Sequence, residues 1–118
     1  MDLKLQDKWF IVCGASSGFG KSIATRLVEE GANVVAIARR KEFLERLKQV
    51  SPDQVRTFAG DITRSQTIKA LFNETQDIKL SGIVFNAGGP PAMSFKETSM
   101  DDWDKAYHQL VRWKIELA

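Results

Sequence analysis

A glycine-rich turn, CGASSGFG at residues 13–20, stands between an apolar run and a segment of helical periodicity. The run WFIV at residues 9–12 predicts a buried strand, and KSIATRLV at residues 21–28 places apolar side chains at helical spacing. A strand that turns into a helix in this way presents unpaired backbone N–H groups beside the partial positive charge of the helix N-terminus. The sequence therefore predicts a binding site for a phosphate or pyrophosphate group at this turn.

The three glycines of the turn have separate physical roles. We expect Gly14 to turn the chain sharply, Gly18 to let the backbone approach a ligand, and Gly20 to let the helix pack close to the strand. The spacing is G-x-x-x-G-x-G, and a glycine trio by itself is also typical of a structural turn, which stays open as the alternative. The intervening residues assigned to the same site are Ser16, Ser17 and Phe19.

Length and composition restrict the class of protein. A chain of 118 residues suffices for a single domain, residues 1–118, with one modest core. An apolar fraction of 43% with 27% charged residues argues against disorder, and a formal net charge of +2 is too small to indicate a nucleic-acid surface. The presence of only one cysteine, Cys13, excludes a disulfide framework and favours a reducing, cytoplasmic setting. We interpret Cys13 as a buried apolar residue. No apolar run reaches membrane-spanning length.

Strands and helices alternate along the rest of the sequence. Further strands are predicted at residues 33–38, 55–59 and 82–85, each followed by a helix. This alternation predicts an α/β fold, a Rossmann-type doubly wound parallel sheet with strand order 3-2-1-4, in which the second half of the sheet is missing. Ligands bind such sheets at the carboxyl ends of the strands where the order reverses, which is here between the first and fourth strands.

Apolar residues at helical spacing predict the buried face of each helix. Ser99 and Asp102 resemble a capping box and predict the start of the last helix, in which Tyr107 is expected in the core and His108 on the surface. The expected buried stripes are Phe43, Leu44, Leu47 and Val50 in the second helix, Ile68, Leu71 and Phe72 in the third, and Trp103, Ala106, Tyr107, Leu110 and Val111 in the last.

Two arginines, Arg39 and Arg40, follow the second strand. A carboxylate at this place accepts hydrogen bonds from a ribose 2′-OH and favours NAD, whereas a cation pairs with a 2′-phosphate and favours NADP. The planar guanidinium suits a phosphate, and its charge-assisted hydrogen bonds are strong. The sequence therefore predicts NADP as the cofactor, with Arg39 as the main contact and Arg40 as the second. A solvated surface pair is the alternative.

Polar and small residues also follow the third and fourth strands. Asp61 can accept a hydrogen bond from an adenine amino group, with the backbone of Ile62 beside it, although helix-start and turn chemistry explains an Asp here about as well. Asn86 can tie neighbouring strands together through its amide, and Ala87 and Gly88 leave room for a cofactor's sugar. An ordinary loop with Asn and Gly is the competing interpretation.

Residues 14–20, 61–62 and 86–89, taken together, resemble the N-terminal half of a short-chain dehydrogenase/reductase, with the 3-oxoacyl-carrier-protein reductase group as the nearest type. The resemblance covers nearly the whole chain. It implies a Rossmann fold, an NADP(H) cofactor and hydride transfer to or from the carbonyl carbon of a small-molecule substrate. The family usually has Thr where this sequence has Cys13, and Ile where it has Phe19.

The family's catalytic residues are a Ser and a Tyr-x-x-x-Lys pair beyond the fourth helix, and no segment of this sequence supplies them. Tyr107 is followed four places later by Val111 instead of Lys, and the family's frequent Asn on this helix falls at Leu110. We therefore expect no catalytic residue and no activity from this chain alone. The uncovered fourth strand predicts self-association, as a homo-oligomer or an aggregate. A non-catalytic NADP(H)-binding module and a truncated product are the alternatives.

Overall fold

A computed structural model describes residues 4–15, 18–86 and 94–118, with four strands that alternate with helices. The elements up to the last strand are β1 (Trp9–Cys13), α1 (Gly18–Glu29), β2 (Asn33–Ala38), α2 (Lys41–Val50), β3 (Val55–Ala59), α3 (Ser65–Glu74) and β4 (Leu80–Val84). They are followed by a 3₁₀ turn (Phe95–Glu97), α4 (Met100–Tyr107), a π-helical segment (His108–Arg112) and α5 (Trp113–Leu117). None of the helices described here combines the length and the apolar character needed to cross a membrane.

The four strands form one parallel sheet in the order β3-β2-β1-β4, which confirms the predicted fold class and strand order. Ile11 of β1 lies opposite Val35 of β2 and Ile83 of β4, so β1 is an interior strand. Its last three residues are fully buried, as the continuous apolar run predicts for a strand covered on both faces. β4 begins two residues earlier than predicted and ends at Val84, which leaves Phe85 39% exposed.

Helices cover both faces of the sheet. On one face, Ile11 and Ile37 of the sheet belong to a core with Leu71 of α3 and with Trp113 and Leu117 of α5. The other face forms a second core with α1 and α2, whose buried members include Val12, Val34, Ala36, Ala24 and Leu44. This three-layer arrangement leaves the carboxyl ends of the strands as the edge at which loops gather.

Two helix termini are capped by well-defined local structure. Gly31 ends α1 with a φ of +88°, the left-handed conformation that favours glycine. At the start of α4 the N–H of Asp102 donates to Oγ of Ser99 at 3.1 Å, and the N–H of Ser99 donates to Oδ2 of Asp102 at 2.9 Å. This reciprocal pair is the predicted capping box, and the hydrogen bonds from Ser99 lower the pKa of Asp102.

The predicted buried stripe of the last helix is wrong for Trp103, Tyr107 and Val111, whose residues are 48%, 52% and 41% exposed. Ala106 and Leu110 are partly buried. The side chains that reach the core are instead those of Trp113 and Leu117, which are 0% and 1% exposed. Both faces of this helix carry apolar residues, so spacing alone could not choose between them.

Trp113 fixes which face of the last helix is buried. Its ring packs edge-on against Phe85 at a centroid distance of 5.9 Å, and its indole N–H donates to the carbonyl of Gln109. That carbonyl belongs to the π-helical segment, whose wider turn changes the register of the faces before and after it. This large anchor lies two residues beyond Val111, the last residue of the predicted stripe.

Two smaller predictions on buried stripes are also wrong. Val50, the last residue of α2, is 80% exposed, and Phe72 of α3 is 38% exposed. The buried row of α3 is Ile68 and Leu71, and it continues at Thr75, the residue directly after the helix. Thr75 can replace an apolar residue in this row because its hydroxyl donates to the carbonyl of Leu71 at 2.9 Å, which satisfies the buried polar group. The side chain of Phe43, predicted in the stripe of α2, lies outside the described residues.

Replacing Trp113 with Ala should lower the free energy of unfolding by about 3–5 kcal/mol, because the lost indole leaves a cavity in the core. The matched control, Trp103→Ala, removes the same side chain from the exposed face of α4 and should cost less than about 1 kcal/mol. Urea unfolding of the two variants and the parent measures both effects. A greater loss for Trp103→Ala than for Trp113→Ala would show that the helix buries the opposite face.

Candidate functional site

A crevice of about 1010 Å³ lies at the carboxyl ends of the strands, where the strand order of the sheet reverses between β1 and β4. It brings together eight of the residues assigned to the site from the sequence, which are Gly14, Gly18, Phe19, Arg39, Arg40, Asp61, Ile62 and Asn86. Gly20 packs behind the turn and does not line the crevice. The other four predicted site residues, Ser16, Ser17, Ala87 and Gly88, lie outside the described residues.

The glycine turn is shaped by positive backbone angles and by close packing. Gly14 has a φ of +63°, which confirms its predicted role in the sharp turn. The N–H of Ala15 then donates to the carbonyl of Ile37 at 3.0 Å and ties the turn to β2. Gly18, which begins α1, has a φ of +57°, and, apart from its chain neighbours and the backbone of its own helix, no atom of the described residues lies within 4 Å of the place where a Cβ would stand.

Gly20 confirms the predicted close contact between the helix and the strand. A Cβ at this residue would lie 2.0 Å from the carbonyl oxygen of Gly14 and 2.8 Å from Nδ2 of Asn86. Both distances are too short for any side chain, because the nearest atom belongs to rigid backbone. The first turn of α1 therefore lies directly on the end of β1, and Gly18 and Phe19 of this turn line the crevice.

Asn86 connects the end of β4 to the glycine turn. Its side-chain Nδ2 donates to the carbonyl of Gly14 at 3.4 Å, which confirms that the amide ties neighbouring strands together. Burial raises the pKa of the Cys13 thiol to about 12, against smaller opposing effects of a hydrogen bond with the Asn86 backbone and of the Lys114 charge. Cys13 is thus a fully buried, protonated core residue, as its interpretation from the sequence predicts.

Asp61 organises the loop between β3 and α3. Its Oδ1 accepts hydrogen bonds from the N–H of Thr63 at 3.0 Å and from the Thr63 hydroxyl at 2.6 Å, while its Oδ2 lies 3.7 Å from Nε of Arg64. Partial burial raises the pKa of Asp61, but the two Thr63 hydrogen bonds and the charges of Arg39 and Arg64 outweigh it and hold that pKa below its ordinary value. The turn chemistry anticipated for this Asp is therefore present, and a contact with a ligand remains a prediction.

The rim of the crevice is cationic and carries one large exposed ring. Arg39 and Arg40 directly follow β2 and are both exposed. Phe19 lies in the first turn of α1 and is 83% exposed, so an aromatic surface stands beside the turn. The buried Ile62 contributes an apolar surface from the sheet side. This rim combines positive charge with apolar area, the two properties that a nucleotide with a phosphate requires.

Sequence reasoning missed one wall of the crevice. Four polar residues of α4 and the π-helical segment line it, namely Asp104, Lys105, His108 and Gln109. His108 was expected on the exposed surface but is partly buried. The signal that could have found this wall is the four-residue spacing within two pairs, 104 with 108 and 105 with 109, which places them on one helical face. Among the described residues, no group of three or more His, Cys, Asp or Glu could hold a metal ion.

The sequence of the chain is similar to a known protein family and to individual members of it. The sequence matches the family model for short chain dehydrogenase over residues 8–111. An uncharacterised oxidoreductase of Staphylococcus aureus strain USA300 is 36% identical over 103 residues, which make up 85% of this chain and 45% of the relative. The chain thus spans less than half of the length of that relative.

Two solved structures share the fold. A short-chain dehydrogenase from Streptomyces avermitilis has a TM-score of 0.86 at 30% identity and covers 93% of this chain and 42% of that one. The L-sorbose reductase of Gluconobacter frateurii, solved in complex with NADPH and L-sorbose, has a TM-score of 0.90 at 27% identity and covers 100% of this chain and 47% of that one. Each similarity extends over nearly all of this chain and about half of the other protein.

Two glycine substitutions separate the steric constraint at the turn from the conformational one. Gly20→Ala should lower the free energy of unfolding by at least about 3 kcal/mol, because its Cβ collides with backbone. Gly18→Ala meets no atom and should cost only about 1–2 kcal/mol, the strain of a left-handed alanine. Denaturant unfolding measures both values. An equal or smaller loss for Gly20→Ala would contradict the close contact with Gly14.

Asp61 should contribute to stability in a pH-dependent way. Because its pKa is lower in the folded than in the unfolded chain, its contribution is present above the unfolded pKa and is lost as the pH falls through the folded pKa. Asp61→Asn should therefore lose less stability than the parent between about pH 5 and pH 2. Urea unfolding across this range is the measurement, with Asp53→Asn, an exposed carboxyl remote from the crevice, as the control. A parent-like slope for Asp61→Asn would contradict the depressed pKa.

Proposed function

The chain belongs to the short-chain dehydrogenase family, and we propose that it is the cofactor-binding part of an NADP(H)-dependent oxidoreductase that acts on a small carbonyl or alcohol. The observation that supports this most strongly is that the glycine turn and the arginines Arg39 and Arg40 line the same crevice. NADP carries a diphosphate and a 2′-phosphate, and the crevice offers a separate group for each. The NADPH complex of L-sorbose reductase, a structure similar to this chain, supports the class of cofactor.

The turn fits a diphosphate. Gly14 and Gly20 have no side chains, so the first turn of α1 packs on the end of β1, and Gly18 and Phe19 of that turn line the crevice, where a helix offers N–H groups without intrahelical partners. At Gly18 the space beside the backbone is open, which allows an anion to come close to the amides. The helix dipole adds partial positive charge at the same place. Ser16 and Ser17 are proposed as further diphosphate contacts from their position in the sequence.

The arginines fit the 2′-phosphate of the adenosine. Arg39 and Arg40 stand where the strand order and the family place the group that distinguishes the two dinucleotides. The carboxylate of Asp61 lies close enough to influence this end of the crevice, but its Oδ1 already accepts two hydrogen bonds from Thr63. The rim of exposed guanidinium groups therefore keeps a net attraction for a phosphate.

The remaining residues are proposed to hold the base and the sugars. Asp61 and Ile62 would contact the adenine, the first through Oδ2 and the second through its backbone. Asn86, Ala87 and Gly88 would lie beside the cofactor's sugar. Asn86 holds β4 to the turn, so it would also fix the relative position of the two ends of the site.

When NADP(H) is bound, it supplies or accepts the hydride. The residues of this chain bind and orient the adenosine and diphosphate part of the cofactor, and none of them is proposed as an acid or base. Tyr107 in particular is 52% exposed and does not line the crevice. The buried, protonated Cys13 supports a reducing, cytoplasmic setting. The exposed apolar face of the last helix, with Trp103, Tyr107 and Val111, supports a homo-oligomer in the whole protein.

The choice of cofactor is tested by calorimetry with 2′-phospho-ADP-ribose and ADP-ribose. The parent should bind the 2′-phosphorylated ligand at least about tenfold more tightly, the size expected for one charge-assisted hydrogen bond. Arg39→Asp should abolish or reverse this preference and leave the affinity for ADP-ribose within about twofold, because a carboxylate repels the phosphate and can accept from the 2′-OH.

The control variant is Lys48→Asp, which makes the same change of charge on α2 away from the crevice. It should keep the preference of the parent, because screening at physiological salt removes most of the effect of a distant exposed charge. Equal affinities of the parent for the two ligands, or an unchanged preference in Arg39→Asp, would overturn the assignment of NADP.

A further inference from the structure

β3 is the outermost of the described strands on one side of the sheet, so one of its long edges faces away from the other strands. The N–H of Val34 donates to the carbonyl of Gln54 at 2.8 Å, and the N–H of Gly60 donates to the carbonyl of Ala38 at 2.9 Å. Successive residues of a strand direct their backbone N–H and C=O groups to alternate sides, so the even-numbered residues of β3 bond to β2. The residues whose backbone groups face outward are therefore Val55, Thr57 and Ala59.

This outward edge lacks the features that usually prevent a strand from pairing with another chain, namely proline, lysine and β-bulges. The sequence of β3, VRTFA, contains neither proline nor lysine, and its ladder with β2 keeps one register over all five residues. The charged residue of β3, Arg56, bonds to both carboxylate oxygens of Asp77 at 3.0 and 2.7 Å, and its guanidinium lies 4.9 Å from the ring centroid of Trp9. Arg56 is thus held on the face of the sheet that α3 covers, and it does not shield the edge.

β4, the outermost described strand on the other side of the sheet, has a less regular edge. Its ladder with β1 contains a shift of register between Trp9 and Phe10, and Gly82 lies at its centre. An irregular ladder bends a strand, and a glycine inside a strand weakens it. β3 is therefore the better surface for an added strand.

The sequence of β3 is complementary to itself in the antiparallel direction. When two copies of β3 pair about Thr57, that residue faces its own equivalent, and Val55 of each copy faces Ala59 of the other. These are the residues whose backbone groups face outward, so every such pair can exchange both of its hydrogen bonds. At the intervening positions, Arg56 of each copy faces Phe58 of the other. Paired threonines and a cation beside an aromatic ring both stabilise facing strands.

A cavity of about 300 Å³ beside β3 provides space for a facing side chain. It lies between β3 and the C-terminal end of α3, and the apolar residues that line it are Val35, Phe58 and Leu71. Arg56 and Thr57 of β3 line it as well. Phe58 is only partly buried, although it packs against the core on this face. A second copy would bring its own Phe58 against Arg56 and would cover apolar surface that α3 leaves open.

We propose that the outer edge of β3 is an interface between two copies of this chain, in which the two β3 strands pair antiparallel about Thr57 and join the two sheets into one. The same patch serves on both copies, so the contact closes on itself as a two-fold dimer and does not grow into a filament. The inference goes beyond the proposed function, because the cavity beside β3 shares no lining residue with the crevice. The interface is also separate from the exposed apolar face of the last helix.

Cysteine cross-linking tests the pairing at its axis. Thr57→Cys places two thiols on Cα atoms about 5.5 Å apart, the spacing of a hydrogen-bonded antiparallel pair, which a disulfide can span. The matched control is Ala59→Cys on the same strand, whose two equivalents lie about 14 Å apart in this register. Under mild oxidation Thr57→Cys should form a covalent dimer in at least about tenfold higher yield than Ala59→Cys, because a disulfide cannot span the longer distance. The native Cys13 is fully buried and does not compete.

Thr57→Pro tests the hydrogen bonds of the interface. The N–H of Thr57 faces outward, so proline removes no bond to β2 and is compatible with an edge strand. In sedimentation equilibrium over a series of concentrations, the parent should show a reversible equilibrium between monomer and dimer. Thr57→Pro should weaken dimerisation at least about tenfold, because each copy loses one hydrogen bond. The controls are Ser81→Lys at an exposed residue of β4 and Tyr107→Ser on the exposed face of the last helix, and both should dimerise like the parent.

The inference is overturned if the parent stays monomeric at all concentrations, or if Thr57→Cys and Ala59→Cys cross-link equally. It is also overturned if a folded Thr57→Pro dimerises like the parent, or if Ser81→Lys or Tyr107→Ser abolishes the dimer while Thr57→Pro keeps it. Circular dichroism and thermal unfolding midpoints establish that the variants are folded. The pair of cysteine variants decides the outcome if the proline variant does not fold.

Discussion

The packing of Gly20 against the carbonyl of Gly14 is the constraint on which the rest of the site depends. No side chain fits between these residues, so the first turn of α1 lies at contact distance from the end of β1. Asn86 closes the same corner from β4, since its amide donates to the carbonyl of Gly14. The end of β4, which is far away in the sequence, thus meets β1 and α1 within one small volume, and the crevice opens directly in front of them.

The charges that line the crevice are held in place by this corner. The N-terminus of α1 and the two arginines after β2 place positive charge at two points of one crevice, and the low pKa of Asp61 keeps a charged carboxylate beside them. The Oδ1 atom of that carboxylate accepts two hydrogen bonds from Thr63, so Asp61 also stabilises its own loop. The proposed cofactor carries its anionic groups at two corresponding points, and this agreement supports NADP(H) more than any single residue does.

The sequence was sufficient to predict the sheet, its strand order and the residues at the strand ends. Apolar strands, turns that contain glycine and right-handed crossovers leave few alternative topologies. It could not predict which face of the last helix is buried. Trp103, Tyr107 and Val111 have the spacing of a core stripe, yet Trp113 and Leu117 occupy the core. Both core residues lie beyond Val111, the last residue of the predicted stripe, and a π-helical segment for which residues 108–112 carry no local signal precedes them. Because the wrong face was assigned to the core, the contribution of His108 to the crevice was missed for the same reason.

The most direct test of the account is the response of the backbone amides to a diphosphate. A chain labelled with ¹⁵N, titrated with ADP-ribose and followed by two-dimensional NMR, should show its largest saturable shifts at the N–H groups of Gly14, Gly18, Phe19 and Gly20. Smaller shifts should follow at the ends of β2 and β3. If the turn amides do not move at saturation while amides elsewhere in the chain do, the glycine turn is a structural corner only, and the central claim of a diphosphate site is contradicted.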